Sequence, residues 1–194
     1  MARPREFDPE KALNQTMRIF WERGYQGTSL DELVKAAGVQ KQSLYCAFGD
    51  KRSMFLKSLA LYRSQVVSEV RGILNAPASP MAGIANLLQY ASEPGRRKDC
   101  PAGCLMANTA LEVSKNDPEV AEEVRKMFRD FERLLAAAVK KGQEAGEITT
   151  RFESAALGQS LANTINGIRI LERTGASHHQ VRAVVEMALA GMRA

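Results

Sequence analysis

The sequence predicts an all-α fold. Apolar residues recur at intervals of three and four along most of the 194 residues, which is the spacing of one helix face. Sustained alternation of apolar and polar residues, the strand pattern, is absent. Helix-start and helix-stop signals flank the periodic stretches. Asp8-Pro9, for example, places an N-cap before a proline at the first helical position, and Gly24 closes the same helix.

The periodic stretches predict about nine helices. The first runs from Asp8 to Arg23, and the next two form a pair within residues 29–48. A long helix begins at Gly49-Asp50 and ends near Asn75, before two prolines. The remaining helices are expected near 81–91, 103–114, 118–145, 152–173 and 177–193, with a loop over 92–101.

The pair within residues 29–48 has the pattern of a helix-turn-helix. Thr28 and Ser29 each precede a carboxylate by three residues, Asp31 and Glu32 respectively, which is the capping-box spacing. Gly38 ends the first helix because glycine enters the left-handed region without a steric penalty. The second helix then presents a polar, basic face, which is suited to a DNA major groove.

Charge is concentrated on the same segment. Residues 33–57 contain five basic residues and one acidic residue, while the whole chain has a net charge of +5. A focused basic patch attracts phosphates, because charges separated by more than about 10 Å are screened in salt. Arg3 and Arg5 add a basic N-terminal arm suited to a groove or to phosphates. An ordinary solvated helix face is the alternative, but this patch coincides with the predicted reading helix.

Several spaced residues resemble TetR-type bacterial transcription regulators. They are Phe20-Trp21-Glu22-Arg23-Gly24-Tyr25, Thr28-Ser29-Leu30, Ala36-Ala37-Gly38-Val39, Lys41, Leu44-Tyr45, Phe48 and Lys51. The resemblance covers roughly residues 8–57, and the rest of the chain is similar in length and helical pattern. It implies a DNA-binding domain at 1–57 and an effector-binding and dimerisation domain at 58–194. Cys46 and Gln40 depart from the family's usual residues.

The exposed face of the second helix predicts the DNA contacts. We expect Lys41, Gln42, Ser43 and Tyr45 to face DNA, with Gln42 reading a base edge through its amide. Tyr45, Lys41 and Lys51 are expected to hold phosphates. Thr28, at the dipole-positive start of the preceding helix, is expected to do the same.

Small residues interleave with apolar ones in the last two helices, which suggests close helix packing. Packing within one chain is the alternative. The resemblance implies a four-helix dimer interface, and two-fold DNA sites are read by two-fold proteins. We therefore expect a homodimer on a palindromic operator of double-stranded DNA, with Leu161, Ile168, Val185 and Leu189 at its interface.

The region after residue 57 is larger than dimerisation requires. It contains polar residues at positions expected to face inward, such as Asn108 and Asn163, where a satisfied buried amide is the alternative. A few polar groups in an apolar cavity are typical of a small-molecule site. The expected lining consists of Tyr62, Val66, Met106, Phe128, Phe131 and Asn163.

Other functions have little support in the sequence. There is no Gly-rich phosphate loop, no His-Glu-x-x-His motif and no nucleophile elbow, so an enzyme is not expected. Neither a cofactor nor a metal is expected. Cys100 and Cys104 keep open the alternative of a thiol- or metal-responsive regulator, although further soft ligands are missing nearby. The absence of a secretory stretch and of a membrane-length apolar run predicts a cytoplasmic protein.

The sequence therefore predicts a transcriptional repressor that a small organic effector releases from its operator. A DNA-architectural protein without an effector is the remaining alternative, and it would have no ligand cavity in the region after residue 57.

Overall fold

The computed structural model describes residues 8–93 and 101–194, and its regular elements are helical. The predicted all-α class is confirmed. Within the described ranges, strand pairing is limited to one isolated bridge between Ile148 and Arg193. The described helices are α1 (Pro9–Arg23), α2 (Leu30–Ala37), α3 (Lys41–Phe48), α4 (Lys51–Asn75), α5 (Pro80–Ser92), α6 (Leu105–Glu112), α7 (Pro118–Glu144), α8 (Ser154–Arg173) and α9 (His178–Ala190).

Local sequence signals set the helix ends. Asp8 accepts hydrogen bonds from the N–H groups of Glu10 and Lys11, and Pro9 occupies the first turn of α1. Ser79 caps α5 in the same way, and Ser177 forms a capping box at the start of α9. Side-chain caps of this kind satisfy N–H groups that have no partner inside the helix. Predicted and observed helix ends therefore agree within a few residues.

The chain divides into two compact units. The first combines the described residues up to Ser64 with Leu105–Val124, and the second combines Gln65–Cys104 with Arg125–Ala194, apart from the undescribed 94–100. This division differs from the predicted boundary after residue 57. Residues 105–124 join the N-terminal unit through contacts that are distant in sequence, which no local pattern reveals.

The first unit has an aromatic core. The Phe55 ring lies 4.9 Å from the rings of both Phe20 and Tyr25, measured between centroids, and Trp21 packs edge-on against Tyr62 at the same distance. Edge-to-face pairs of this kind add to the stabilisation from burial alone. This core fixes α1 and α4 as the platform on which α2 and α3 are held.

The second unit has an aliphatic core. It draws on α4, α5, α7, α8 and α9, and its fully buried members include Ile84, Leu88, Leu135, Val139 and Ile168. Burial of each such side chain contributes about 1.5–3 kcal/mol before entropy is considered. Among the described residues, no helix is both long and apolar enough to cross a membrane.

Candidate nucleic-acid interface

A capping box starts the helix-turn-helix. The Ser29 Oγ accepts the Glu32 N–H at 3.3 Å, and a Glu32 carboxylate oxygen accepts the Ser29 N–H at 2.7 Å. The Ser29 hydroxyl also donates to this carboxylate, at 2.8 Å. The hydrogen bonds that the Ser29 N–H and hydroxyl donate, with a smaller contribution from Arg23, hold the pKa of the Glu32 carboxyl below its ordinary value. Of the two candidate capping residues, Ser29 is therefore the one that caps α2.

The turn between α2 and α3 depends on Gly38. Its φ of 66° and ψ of 27° lie in the left-handed region, as predicted, and its N–H returns to the Val34 and Lys35 carbonyls. Gln40 then precedes α3 without a side-chain capping bond. The start of α3 consequently keeps unpaired N–H groups, which can be satisfied by water or by a DNA phosphate.

Packing of α3 separates a buried side from an exposed one. Leu44 is fully buried and Phe48 nearly so. Lys41, Gln42 and Tyr45 are exposed as predicted, while Ser43 is half-buried. The apolar pair thus anchors the helix and leaves hydrogen-bonding side chains free on the outside, which is the arrangement needed to read base edges.

The lysines of this region fall into different environments. Lys41 forms an exposed ion pair with Asp31, with 3.1 Å between Nζ and the carboxylate oxygen. Lys51 places its ammonium 4.4 Å from the centre of the Tyr25 ring. Lys57 donates to the Phe48 carbonyl at 2.8 Å, so its charge caps the C-terminal end of α3. Lys57 therefore has a structural role, while the charges of Lys41 and Lys51 each lie beside another side chain of the same unit.

Three predicted contacts need correction or lie outside the described residues. Thr28 is 2% exposed, and its hydroxyl donates to the Gly24 carbonyl at 2.6 Å. Its side chain is therefore used inside the fold and does not reach a phosphate. The short side chain and the tight Gly24 turn together explain this burial. Arg3 and Arg5 lie outside the described residues.

Three carboxylates from the α6–α7 segment support the interface. Glu112, at the end of α6, accepts the N–H groups of Tyr25 and Gln26 at 3.0 and 2.7 Å. Asp117 accepts two hydrogen bonds from Arg52 at the start of α4, and Glu119 accepts a further one. Sequence reasoning missed these partners, although Asp117-Pro118 carries the same N-cap signal as Asp8-Pro9.

Arg52, Asp117 and Glu119 form a charged cluster that shifts the pKa values of Arg52 and Asp117. The Arg52 hydrogen bonds lower the pKa of Asp117 to about 2, helped by N–H groups at the start of α7. The same bonds, from Asp117 first and Glu119 second, raise the pKa of the Arg52 guanidinium. Both groups are therefore charged at any pH near neutrality, and the first turn of α4 is tied to the first turn of α7.

The residues predicted to line an effector site belong to both compact units. Met106 and Tyr62 are buried in the first unit, and Phe131 is buried in the second. Val66 and Phe128 are half-buried. Asn163 is exposed on α8, so the prediction that it faces the interior is wrong. Its neighbours Leu161, Ala162 and Ile165 take the inward face of that helix turn.

The residues predicted at the dimer interface differ in their exposure. Leu161 and Ile168 are 3% and 0% exposed inside their own unit, so they cannot form an interface and this prediction is corrected. Val185 and Leu189 are half-buried against the same core. The sequence pattern favoured these inward-facing residues because they are apolar. A single sequence does not show which apolar stripe of a helix packs inside its own chain.

Apolar side chains remain exposed on the outer faces of α8 and α9. Ile170 and Met187 are 53% and 73% exposed. Ala183 and Ala190 lie one turn on either side of Met187 and are exposed as well. A large apolar group exposed on each of these two helices, flanked on α9 by exposed alanines at helical spacing, favours an uncovered packing face.

The cysteines and histidines form no metal site among the described residues. No group of three or more His, Cys, Asp or Glu side chains within those ranges could hold a metal ion. Cys46 is exposed and Cys104 is half-buried. Cys100 lies outside the described residues.

Both the helix-turn-helix region and the C-terminal region match known protein families. The family described as "Bacterial regulatory proteins, tetR family" matches residues 12–57, which contain the helix-turn-helix. The family described as "Tetracyclin repressor-like, C-terminal domain" matches residues 80–188, more than half of the chain. The chain belongs to the TetR family. It is therefore a DNA-binding transcriptional regulator, as its sequence predicts.

Individual TetR relatives are similar over three quarters of the chain or more. The HTH-type transcriptional repressor ComR of Escherichia coli (strain K12) is 32% identical over 183 residues, which cover 90% of this chain and 84% of ComR. The uncharacterised regulator YezE of Bacillus subtilis (strain 168) is 30% identical over 76% of each chain. A cysteine-substituted variant of the TetR family regulator CifR, solved with 26-base-pair operator DNA, is 29% identical. It has a TM-score of 0.85, with 98% of this chain and 100% of that chain covered.

Proposed function

We propose that this TetR family protein is a cytoplasmic repressor that binds a palindromic operator as a homodimer and is released by a small organic effector. The observation that carries the DNA-binding part is the exposed polar side of α3 above the buried Leu44 and Phe48. Repression agrees with the relative ComR, which is named a transcriptional repressor, and operator binding agrees with CifR.

The uncovered face of α8 and α9 supports the dimer. Ile170 and Met187 are the large apolar groups of this face, and Gly167 lies on the same side of α8. A Cβ placed at Gly167 would meet no atom within 4 Å apart from its chain neighbours and the backbone of its own helix, so packing against other parts of the chain does not require glycine there. A small residue beside exposed apolar ones lets a second helix approach closely. The proposed interface is therefore this face, in place of Leu161 and Ile168.

A buried amide in the first unit supports an effector. The Asn108 Nδ2 atom is buried and has no hydrogen-bond partner among the described residues. It lies on α6, where Met106 and Thr109 are fully or almost fully buried. An unpaired buried donor costs about 1–3 kcal/mol, and such groups are usually matched by water or a ligand. We therefore expect an apolar effector with at least one hydrogen-bond acceptor.

Release follows from linkage between the two ligands. An effector shifts the protein only if it binds the DNA-incompetent state more tightly than the competent one. The half-sites of a two-fold site lie about 34–36 Å apart, so a small change in the spacing of two reading helices loses one half-site. Helix α4 begins directly after α3 and the turn at Gly49, and it continues into the second unit. A small rotation of α4 is therefore enough to change the spacing of the two reading helices and to release the operator.

Selection of DNA from a random pool tests the operator proposal. The full-length protein should enrich duplexes with two inverted half-sites, and fluorescence anisotropy should show two protomers bound to each duplex. Enrichment of single half-sites, or equal affinity for random DNA, would contradict the proposed function.

The effector proposal is tested by paired asparagine variants. Compounds from a small organic library that dissociate the operator complex should lose this effect on Asn108→Leu, which replaces the unpaired amide by an apolar group of similar size. Asn163→Leu, at an exposed position, should respond like the natural protein. If the two variants respond alike, the effector does not use Asn108.

A further inference from the structure

A surface groove lies within the second unit, between the end of α4 and the outer side of α7. The turn from Pro77 to Pro80, which leads into α5, closes one side of it. Its volume is about 310 Å³. This is close to the lower end of the range of about 300–1,000 Å³ found for small-molecule sites. We call it the α4–α7 groove.

The base of the groove is apolar and its shape is fixed. Leu74 and Ala138 are 8% and 9% exposed, and Leu134 lies beside them. Pro77 and Pro80 restrict the backbone of the rim. A rigid apolar wall loses little entropy when a ligand binds, which favours affinity from a small contact area.

Two interactions hold the rim in place. The Ser79 hydroxyl donates to the Glu147 carboxylate at 2.7 Å, and the Met81 N–H donates to the same oxygen at 2.9 Å. Gly83 lets α5 approach the end of α4, because a Cβ there would lie 2.5 Å from the Leu74 carbonyl oxygen. These contacts therefore hold the rim in one conformation.

Charge on the groove has a single sign. Arg71 and Lys141 line it, and no acidic residue does. Neither cation forms an ion pair with another residue in the described ranges. Cations are common near helix C-termini because they complement the helix dipole. Here, however, the cations of two different helices border the same apolar depression.

We propose that the α4–α7 groove binds a small organic anion, with a carboxylate held by Arg71 and Lys141. The apolar body of the ligand packs on Leu74, Leu134 and Ala138. Guanidinium and ammonium groups provide charge-assisted hydrogen bonds, which are about twice as strong as neutral ones. The groove belongs to the second unit and Asn108 to the first, so the inference does not depend on the proposed effector.

Three shape-matched probes test the charge preference. The full-length protein is titrated with 4-phenylbutyrate, with its uncharged amide and with 4-phenylbutylamine, and binding is followed by isothermal titration calorimetry. The carboxylate should bind in the millimolar range or tighter, and the amide should bind at least about fivefold more weakly because it loses the charge-assisted contacts. The amine should not bind. Equal affinity for carboxylate and amide, or no binding of the carboxylate, would overturn the proposal.

Single-residue variants test whether the carboxylate binds in the α4–α7 groove. Lys141→Gln should weaken carboxylate binding about fivefold, since one charged partner is removed at an exposed rim. Lys140→Gln is the matched control, because Lys140 is the adjacent exposed lysine of α7 and does not line the groove. Ala137→Trp should fill the groove and abolish binding, and its exposed position should leave the melting temperature unchanged. If Lys140→Gln weakens binding as much as Lys141→Gln, the groove is not the site.

Discussion

Arg52 and Asp117 form a two-point ion pair across 65 residues of sequence. The Nε atom lies 2.8 Å from one carboxylate oxygen, and an Nη atom lies 2.9 Å from the other. Asp117 also accepts the N–H groups of Glu119 and Val120, so one carboxylate caps α7 and binds the start of α4. Because α4 follows α3 directly, this pair holds in place the C-terminal end of α3, the predicted DNA-reading helix.

The Arg52 pair should make stability depend on pH in the acid range. The Arg52 hydrogen bonds lower the pKa of Asp117 from 3.8 to about 2 in the folded chain. A carboxyl with a lowered pKa contributes stability above its unfolded pKa, and this stability is lost as the pH falls through the folded pKa. We expect Arg52→Gln to lower the urea midpoint at neutral pH, and the difference from the natural protein to shrink between about pH 4 and pH 2.

Lys115→Gln is the control for this measurement. Lys115 is an exposed cation two residues before Asp117, and it makes no hydrogen bond with another residue of the described ranges. Its removal should change the urea midpoint little at any pH. A midpoint difference for Arg52→Gln that stays constant down to pH 2 would show that Asp117 is not the titrating partner.

Gly24 should tolerate substitution less well than Gly38. Gly38 has φ 66° and ψ 27°, a left-handed conformation in which an alanine costs about 1–2 kcal/mol. Gly24 has φ 75° and ψ 177°, a region that is essentially restricted to glycine. At Gly38 the added Cβ would meet open space, whereas at Gly24 it would lie 2.5 Å from a Glu112 carboxylate oxygen. We expect Gly24→Ala to cost more free energy of unfolding than Gly38→Ala, as measured by urea denaturation.

A double variant separates the two causes. In a Glu112→Ala background the steric conflict is gone, so adding Gly24→Ala should cost less than it does in the natural protein. It should still cost more than Gly38→Ala does alone, because the backbone of Gly24, with φ 75° and ψ 177°, is essentially restricted to glycine. If the cost of Gly24→Ala is the same with and without Glu112, the contact between these residues does not limit position 24.

Gln42 and Lys41 should differ in their effect on DNA binding. Gln42→Ala should lose about 1–3 kcal/mol on the selected operator and relax the preference at one base pair. Lys41→Gln should weaken binding to all sequences and reduce the salt slope by about 1. Asp31→Asn, which removes the partner of Lys41, should strengthen binding to all sequences. Equal losses for Gln42→Ala on operator and random DNA would contradict the assignment.

Charged substitutions at exposed apolar residues should distinguish the proposed dimer interface from the rest of the surface. Met187→Glu places a charge on the proposed interface, where burial without a partner is costly, and should give a monomer in analytical ultracentrifugation. Leu111→Glu is the control, because Leu111 is 87% exposed on α6, away from α8 and α9 in the sequence. If Met187→Glu remains dimeric, the face is misplaced. A monomeric natural protein would refute the dimer itself.

The sequence alone determined the features that depend on neighbouring residues. The ends of α1 and α2, the Gly38 turn and the exposed side of α3 all follow from caps, glycines and apolar spacing within about ten residues. These features carry the family assignment and the DNA-reading prediction. They are decided locally because each needs only hydrogen bonds and sterics between residues close in the chain.

Only the tertiary structure decided the features that depend on distant partners. The structure differs from the sequence predictions at several side chains. The Thr28 hydroxyl is buried, Leu161 and Ile168 face inward, and Asn163 faces outward. A helix with apolar residues on more than one side does not state which side its own chain will cover. Arg52 likewise gives no sign that its partner lies 65 residues away. Such choices minimise exposed apolar area and unpaired charge over the whole unit, and a local pattern does not contain that information.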